Sequence, residues 1–451
     1  MTVVDRMQAL LGERTAGHSL PQALYSDPTV LDFDIQAIFN RYWLQAGLEL
    51  EIPKPGDYIT MTIGFSPIVI LRNDQGGVSA FFNSCRHRGA QICTEERGHA
   101  HRLVCPYHQW TYDLHGQLLR AGRMQESFDP MDYRLRPARI ECVAGVIFVC
   151  LSEDAPDFAP IRAGIEPLLG PHDLRNGKLA YSATLVERAN WKLVMENARE
   201  CYHCRARHLQ LMHSFRDFTT QDIYQEPEPW LLDFWARCEA RGLKNGPVIG
   251  ADFEAGRFAL ADGVVSITID GKSAVTKKLG AVGDGDVGTM WWAVQPNSFN
   301  HAVGDYAFLF QALPTGPQET VVTAKWVVNK DAVEGVDYDL ARLIEVWNAT
   351  NNEDRWLAEN NQRGINSIAY VPGPYSEITE GRVLRFVDWY CAASRAFIAQ
   401  QRVQPPAHAF SRARASVASS RAHARAIIRL DAHRQRTSLL FGRVMRCYER
   451  I

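Results

Sequence analysis

Two things are scarce in this chain of 451 residues: unbroken hydrophobic stretches and an excess of charge of either sign. No run of about 18 apolar residues occurs, so no membrane-spanning helix is expected. The opening residues, MTVVDRMQALLGERTAG, lack the apolar core of a secretory signal, and the chain is expected in the cytoplasm. Lys and Arg (49) nearly balance Asp and Glu (51), which leaves a net charge of −2. That balance excludes the strong basic surplus of a nucleic-acid binder. Ten cysteines are too few for a disulfide scaffold and are expected as reduced thiols available for metal. Nucleotide signatures are missing too. No dinucleotide fingerprint appears: the G-x-G-x-x-G string GDGDVG at 283–288 leads into the strand-like GTMWWAVQ and opens no helix, and DGKS at 270–273 has Ser266 where the first glycine of a phosphate-binding loop must stand. There are no internal repeats.

What is present is an ordinary globular composition, 46% hydrophobic and 22% charged, over a length that suits about two to three domains. Residues 26–43 open with Asp27 as N-cap and Pro28 in the first helical position. Leu31, Ile35, Ile38, Phe39 and Tyr42 then follow at helical spacing. From about 46 to 152, runs such as DYITMTIG, SPIVILRN, VSAFFNS and AGVIFVCLS predict a small antiparallel β domain. SEDAPDFAP, 152–160, reads as a linker. A helical texture covers 190–213. Strands return between 256 and 330 in RFALADG, VVSITIDGK, GTMWWAVQ, DYAFLFQALP and TVVTAKWVVN, with a hairpin expected at Asp270–Gly271. Helices close the pattern over 340–362 and near 381–401. The fold class is therefore α+β, a small all-β domain inserted into a larger helix-plus-antiparallel-sheet domain. The expected boundaries are 1–44 for N-terminal helices packed on the larger domain, 45–155 for the β domain, 156–402 for the larger domain and 403–451 for an extension. That extension has ten arginines, no lysine and two acids, Asp431 and Glu449, and reads as a solvated arm.

The segment CRHRGAQICTEERGHAHRLVCPYHQW, 85–110, carries C-x-H at Cys85 and His87, then C-x-x-H at Cys105 and His108. Two Cys and two His can hold zinc or an iron–sulfur cluster. Zinc fingers of this composition usually pair Cys with Cys and His with His, whereas each loop here mixes the two. Such loops suit a [2Fe–2S] cluster with Cys85 and Cys105 on one iron and His87 and His108 on the other. Neutral imidazoles in place of two thiolates reduce the negative charge and raise the potential to roughly −150 to +300 mV. Gly89 and Pro106 allow tight loops, and Tyr107 and Trp110 are placed to wall the cluster from water. The arrangement resembles the Rieske motif.

A Rieske cluster only moves single electrons, which raises the question of their destination. In NWKLVMENARECYHCRARHLQLMH, Glu200, His203 and His208 lie close together. Two His and one carboxylate on one face of an iron leave positions open for O₂ and substrate. Residues i and i+5 are about 140° apart on a regular helix. His203 and His208 therefore reach one metal only if the helix ends or is distorted near Cys204–His208. His208 and His213 share that spacing, so spacing leaves the pair open. Cys201 and Cys204 read as small polarizable residues packed beside this segment, with no redox role required.

From about 20 to 400 the chain resembles the α subunit of a Rieske non-haem iron oxygenase. The family's iron motif, an acid, two spacers, His, four spacers, His, falls on Glu200, His203 and His208 and sets His213 aside. The resemblance implies a third ligand on a late helix, Asp354 in NNEDRWLAENNQRG, with Glu353 next door as the rival. It implies that Glu200 is not an iron ligand but a bridge in a head-to-tail homotrimer, from His108 of one subunit to His203 of the next. Glutamate stands here where the commonest family pattern has aspartate. ECYHC, NNQRG and YVPGPYS are similar to the subgroup that acts on quaternary ammonium compounds, with glycine betaine and stachydrine N-demethylases the nearest in kind. The implied cofactors are a [2Fe–2S] cluster and mononuclear Fe(II). NAD(P)H and flavin enter only through a separate iron–sulfur reductase, the implied protein partner. The implied reaction oxygenates an N-methyl group of glycine betaine or proline betaine with O₂ and releases formaldehyde. The alternative within the family is hydroxylation or demethylation of an aromatic acid. Outside it, a pure electron carrier leaves the second metal motif without a task, and a zinc-stabilised binding module would be colourless.

A quaternary ammonium has no hydrogen-bond donor and is best held by aromatic faces, at roughly 0.5–2 kcal/mol per ring. Trp291, Trp292, Phe299, Tyr306, Phe308 and Phe310 are available, and Trp292, Tyr306 and Phe310 are expected against the substrate. In DYAFLF, Tyr306, Phe308 and Phe310 share one face. A betaine carboxylate wants a donor such as His301, Asn297 or an arginine, and the sequence leaves that choice open.

Overall fold

A computed structural model describes residues 2–216, 227–283 and 285–403. The arginine-rich extension, apart from Val403, lies outside the described residues. Three helices lead in: α1 (Val3–Gly12), α2 (Gln22–Ser26) and α3 (Pro28–Asp34). α3 starts as expected. Asp27 accepts a hydrogen bond from Thr29 N at 2.9 Å, and Pro28 takes the first turn, where a missing N–H is harmless. A π-helical turn, Ile35–Phe39, then buries Ile35, Ala37, Ile38 and Phe39.

Residues 44–150 build three small antiparallel sheets. β1 (Leu44–Leu48) lies apart in sequence from its partners. β2 (Asp57–Ile63), β3 (Ser66–Arg72), β4 (Val78–Phe82) and β5 (Arg97–His99) form a four-stranded sheet in the order β4-β3-β2-β5. β6 (Leu103–Val104), β7 (Thr111–Tyr112) and β8 (Leu118–Arg120) form a second sheet. β9 (Arg139–Val143) and β10 (Val146–Cys150) return to β1 in the order β1-β10-β9. Val69, Leu71, Phe81, Trp110, Tyr112 and Leu135 form one core in this part of the chain. The two Cys–His loops project from it, one after β4 and one between β6 and β7.

α4 (Ala159–Leu169) follows an irregular stretch and precedes β11 (Gly177–Glu187). Four helices come next: α5 (Trp191–Asn197), α6 (Cys204–Arg207), α7 (Leu209–Met212) and α8 (Pro229–Ala240). The remaining strands are β12 (Val248–Ile249), β13 (Phe253–Phe258), β14 (Thr289–Val294), β15 (Ser298–Ala302), β16 (Tyr306–Gly316) and β17 (Glu319–Asn329). They join β11 in a seven-stranded antiparallel sheet ordered β11-β17-β16-β15-β14-β13-β12. α9 (Leu340–Ile365) and α10 (Gly381–Val403) end the described chain. None of the helices among the described residues is long and apolar enough to cross a membrane.

The two faces of this sheet do different jobs. Trp291, His301, Phe308 and Trp326 are cross-strand neighbours in one row, so they share a face. Trp347 of α9 stacks on Phe308 there, with centroids 4.3 Å apart. On the opposite face Met290, Trp292, Ala302, Ala307 and Leu309 pack with Ile165 and Leu168 of α4. The strand reading of VVSITIDGK is corrected. This segment is a turn-rich loop, with Gly271 at φ +70° and Val265 N bonded to Gly271 O. Side chains replace a strand partner there: Ser266 Oγ donates to Asp305 and the Tyr306 hydroxyl donates to Ile267 O. β11 and β15 carry no strong sequence signal of their own and were not expected.

A buried polar network fixes the segment that leads into the functional site. Asp34 and Lys192 are both fully buried and paired at 2.6 Å. Asp34 also accepts from Trp191 Nε1 and the Tyr390 hydroxyl. One carboxylate therefore ties α3, α5 and α10 together, because a buried charge left without these partners is strongly destabilising.

Candidate active site and its two metal centres

The first centre is built from two tight turns. Gly89 N donates to Cys85 O at 2.9 Å, with Gly89 at φ +78°, and Cys85 N donates to Ala90 O at 2.8 Å. In the second turn Gln109 N donates to Cys105 O and Cys105 N donates to Trp110 O. Both cysteines are buried, and the Tyr112 hydroxyl lies 3.4 Å from Cys85 Sγ. The imidazoles of His87 and His108 meet with centroids 4.6 Å apart. His87 also stacks nearly flat on Trp110. Two thiols and two imidazoles, the donor set that such a cluster takes, thus lie on neighbouring turns, with the sulfurs buried and the His108 edge exposed to solvent. Trp110 walls this site as expected. Tyr107 does not, being 56% exposed and tilted over His108.

The second centre depends on a broken helix. The helical stretch expected over 190–213 is cut into α5, α6 and α7. His203 stands before α6, and His208 breaks the chain between α6 and α7 with φ −102° and ψ 60°. The break turns His208 back on His203, so their Nε2 atoms lie 3.0 Å apart. Asp354 Oδ1, from α9, lies 2.9 Å from His208 Nε2 and 3.3 Å from His203 Nε2. Separations near 3 Å are those of three adjacent ligands each about 2.1 Å from one ion. The donor set, two imidazoles and one carboxylate on one triangular face, fits a non-haem iron with open positions opposite.

The outer nitrogens are held by carboxylates. His203 Nδ1 lies 2.5 Å from Glu200 Oε1, and His208 Nδ1 lies 2.7 Å from Glu353 Oε2. Such partners fix ring orientation and tautomer at metal sites. Of the two neighbouring acids, Asp354 faces both inner nitrogens, whereas Glu353 meets the outer nitrogen of His208. His213 ends α7 outside this triangle. Burial works against a charged His203, but the hydrogen bonds that its ring donates to Asp354 and Glu200 outweigh it and push its pKa up to about 10. Burial likewise opposes ionisation of Asp354, and the two imidazoles outweigh it and draw its pKa down to about 2. Cys201 and Cys204 are joined as a disulfide, contrary to the expectation of free thiols that merely pack. The tight turn after Glu200 brings their Cα atoms to 4.9 Å, within disulfide reach.

A cavity of about 140 Å³ opens beside this triad. It is lined by the sheet face carrying Trp291, Phe299, Phe308 and Phe310, and by Trp347 of α9. Two known glycine betaine monooxygenase oxygenase subunits are similar to this chain. The one from Pseudomonas aeruginosa is 44% identical over 386 residues, covering 84% of this chain and 90% of that protein. The one from Chromohalobacter salexigens is 44% identical over 395 residues, covering 86% and 88%. The family described as Ring hydroxylating alpha subunit (catalytic domain) matches residues 174–395, and the Rieske [2Fe-2S] domain matches 42–133. The chain belongs to the Rieske non-haem iron oxygenases. A solved quaternary ammonium Rieske monooxygenase, studied for carnitine oxidation and inter-subunit electron transfer, has the same fold. Its TM-score is 0.66 at 20% identity, over 86% of this chain and 98% of that one.

As a Rieske oxygenase, the protein takes a [2Fe–2S] cluster and a mononuclear iron. The substrate residues expected from sequence are divided by the fold. Phe310 lines the cavity. Trp292 does not: strand alternation turns it to the opposite face, into the core against α4. Tyr306 shares the cavity face but lies beyond the cavity, its hydroxyl donating to Ile267 O and accepting from Trp347 Nε1. Asn297 is engaged with Gln45, whereas His301 lines the cavity. The cavity is also lined by residues that the sequence reading missed. Trp347 stands seven residues before Asp354, two helical turns and thus the same face of α9, a spacing that was readable. Glu187 lines the cavity too, and burial with Asp354 nearby pushes its pKa up to about 8. Arg382 of α10 carries no signal in sequence.

Proposed function

We propose that this protein is the oxygenase component of a cytoplasmic monooxygenase that N-demethylates a betaine-like quaternary ammonium compound, glycine betaine or proline betaine (stachydrine). The net reaction consumes the substrate, O₂, NAD(P)H and a proton. It yields the tertiary amine, formaldehyde, water and NAD(P)⁺. The observation that carries this reading is an aromatic cavity opening on a two-histidine, one-carboxylate triad.

We infer that Cys85 and Cys105 hold one iron of the cluster and His87 and His108 the other, and that His203, His208 and Asp354 hold the mononuclear iron. That iron supplies activation of O₂ next to the substrate. The protein's own residues do the rest. Phe299, Phe308, Phe310 and Trp347 hold the cationic head through their ring faces and exclude water. Glu353 keeps His208 oriented, and Glu200 does the same for His203.

Glu200 has a second role in this reading, bridging His203 to His108 of a neighbouring subunit in a homotrimer. The exposed edge at His108 supports it. So do the exposed apolar side chains Tyr202, Leu209 and Trp356 on the segments that carry Glu200 and Asp354. A flavin and iron–sulfur reductase docks near the cluster to deliver electrons. The test supplies iron-loaded protein and a reductase with a panel of betaines and aromatic acids. Substrate-dependent O₂ uptake with stoichiometric formaldehyde is expected for the betaines. Hydroxylated aromatic product without formaldehyde from betaines would overturn the assignment.

A further inference from the structure

The cavity holds two features that a site for a simple cation has no use for. Arg382, in the first turn of α10, lines it, and its guanidinium lies 4.8 Å over the ring of Trp291. No carboxylate among the described residues pairs with Arg382. A cationic side chain in the wall of a cation site repels the ligand unless the ligand also carries a negative group.

The second feature is His301. It is buried at 8% exposure, lines the same cavity, and stands opposite Trp291 in the β14–β15 register. Its Nδ1 lies 3.0 Å from Thr289 Oγ. The contact suits either tautomer; in the one where the hydroxyl donates to Nδ1, the proton sits on Nε2, the nitrogen left for a ligand. Burial, reinforced by Arg382, lowers its pKa to about 3, so it acts as a neutral donor.

We propose that Arg382 and His301 form a subsite for the carboxylate of the substrate, so that the cavity selects a zwitterion over a plain quaternary cation. The inference rests on the demethylase reading for the identity of the zwitterion, but not for the anion subsite itself. Trp347 packs against His301 with centroids 4.9 Å apart and stands about 10 Å along α9 from Asp354. Arg382, His301 and Asp354 line one cavity, so a short betaine held by its carboxylate at Arg382 would keep its methyl groups in the cavity that the triad borders. The planar fork of arginine is preorganised against Trp291 and suits two-point contact with a carboxylate.

Three probes separate the two ends of the ligand: glycine betaine, 3,3-dimethylbutyrate (carboxylate kept, cation removed) and propyltrimethylammonium (cation kept, carboxylate removed). Binding to the iron-loaded holoenzyme is read by calorimetry, and KM is measured for betaine. R382Q should weaken 3,3-dimethylbutyrate and raise the betaine KM by about 10- to 100-fold. Propyltrimethylammonium should shift by less than about threefold. R382K should recover part of the loss, since it keeps the charge without the fork. Equal weakening of all three probes would make Arg382 only a wall-packing residue and overturn the proposal, as would unchanged binding of 3,3-dimethylbutyrate. Should R382Q lose iron or its visible absorption, the same ratio in R382K decides. A wild-type protein that binds 3,3-dimethylbutyrate through Arg382 yet releases no formaldehyde from betaine leaves the anion subsite standing and removes the demethylase reading. A wild-type protein that binds neither carboxylate probe removes the subsite.

Discussion

Loading the mononuclear site with metal should be strongly pH-dependent, and the structure gives the size of the effect. Without metal, His203 is clamped between Asp354 and Glu200, which hold it protonated up to a pKa of about 10 against the opposing effect of burial. An imidazole must be neutral to bind a metal. At pH 7 the ring is about three units below that pKa, so removing its proton costs about 4 kcal/mol. Apparent affinity for Fe(II) should therefore rise about tenfold per pH unit from pH 6.5 to 9. His208 is also shifted up, burial being outweighed by Asp354, and steepens the slope wherever it too is protonated. The stability of the metal-free protein should run the other way. A raised folded-state pKa gives a contribution that is complete below about 6.5 and fades as pH rises through about 10. Anaerobic calorimetry in buffers of different ionisation enthalpy counts the protons released on binding. A flat affinity between pH 6.5 and 9, with no proton release, would refute the reasoning, because it would mean that the imidazoles are already neutral in the metal-free protein.

Three further outcomes are expected. Asp354→Asn should lower iron from three to two per chain while leaving the visible absorption of the cluster intact, whereas Glu353→Gln should retain the ion with about 10- to 100-fold weaker affinity. Iron analysis with absorption spectra distinguishes them, and equal losses would contradict the ligand and backing roles. Glu200→Ala should keep three irons per chain but lose coupled turnover, and full activity in that variant would remove the bridging role. Trp292→Ala should destabilise the fold by about 3–5 kcal/mol through a cavity against α4. Phe308→Ala should destabilise the fold as well, because Phe308 is buried and stacked on Trp347, but only this variant should also raise substrate KM, which denaturant titration beside steady-state kinetics checks.

The legible parts of this protein were those in which chemistry sits in a short stretch of chain. The α3 cap at Asp27–Pro28 is local, and so are the Cys–His loops, where one turn sets each pair of ligands. The segment VVSITIDGK shows the opposite case. Its alternation reads as a strand, yet Asp305 and Tyr306, more than thirty residues on, capture its polar groups and hold it as a loop. The Cys201–Cys204 bond was likewise hidden, since the i, i+3 spacing allows packing or pairing and only the turn after Glu200 brings the two together. The aromatics of the sheet divided for a third reason. Period-two alternation sorts residues into two faces, but it does not say which face meets a helix and which meets a cavity.

The sequence by itself determined the kinds of metal centre, because ligand type and short spacing fix what an ion can meet within one or two turns of chain. It also determined that His203 and His208 could share an ion only across a break in the helix. The tertiary structure alone decided the remainder. It brought Asp354 across from a helix 146 residues beyond His208, assigned Glu353 to the outer nitrogen, and turned Phe308 rather than Trp292 towards the cavity. Contacts between distant elements depend on how whole faces pack, and one-dimensional spacing carries no record of that.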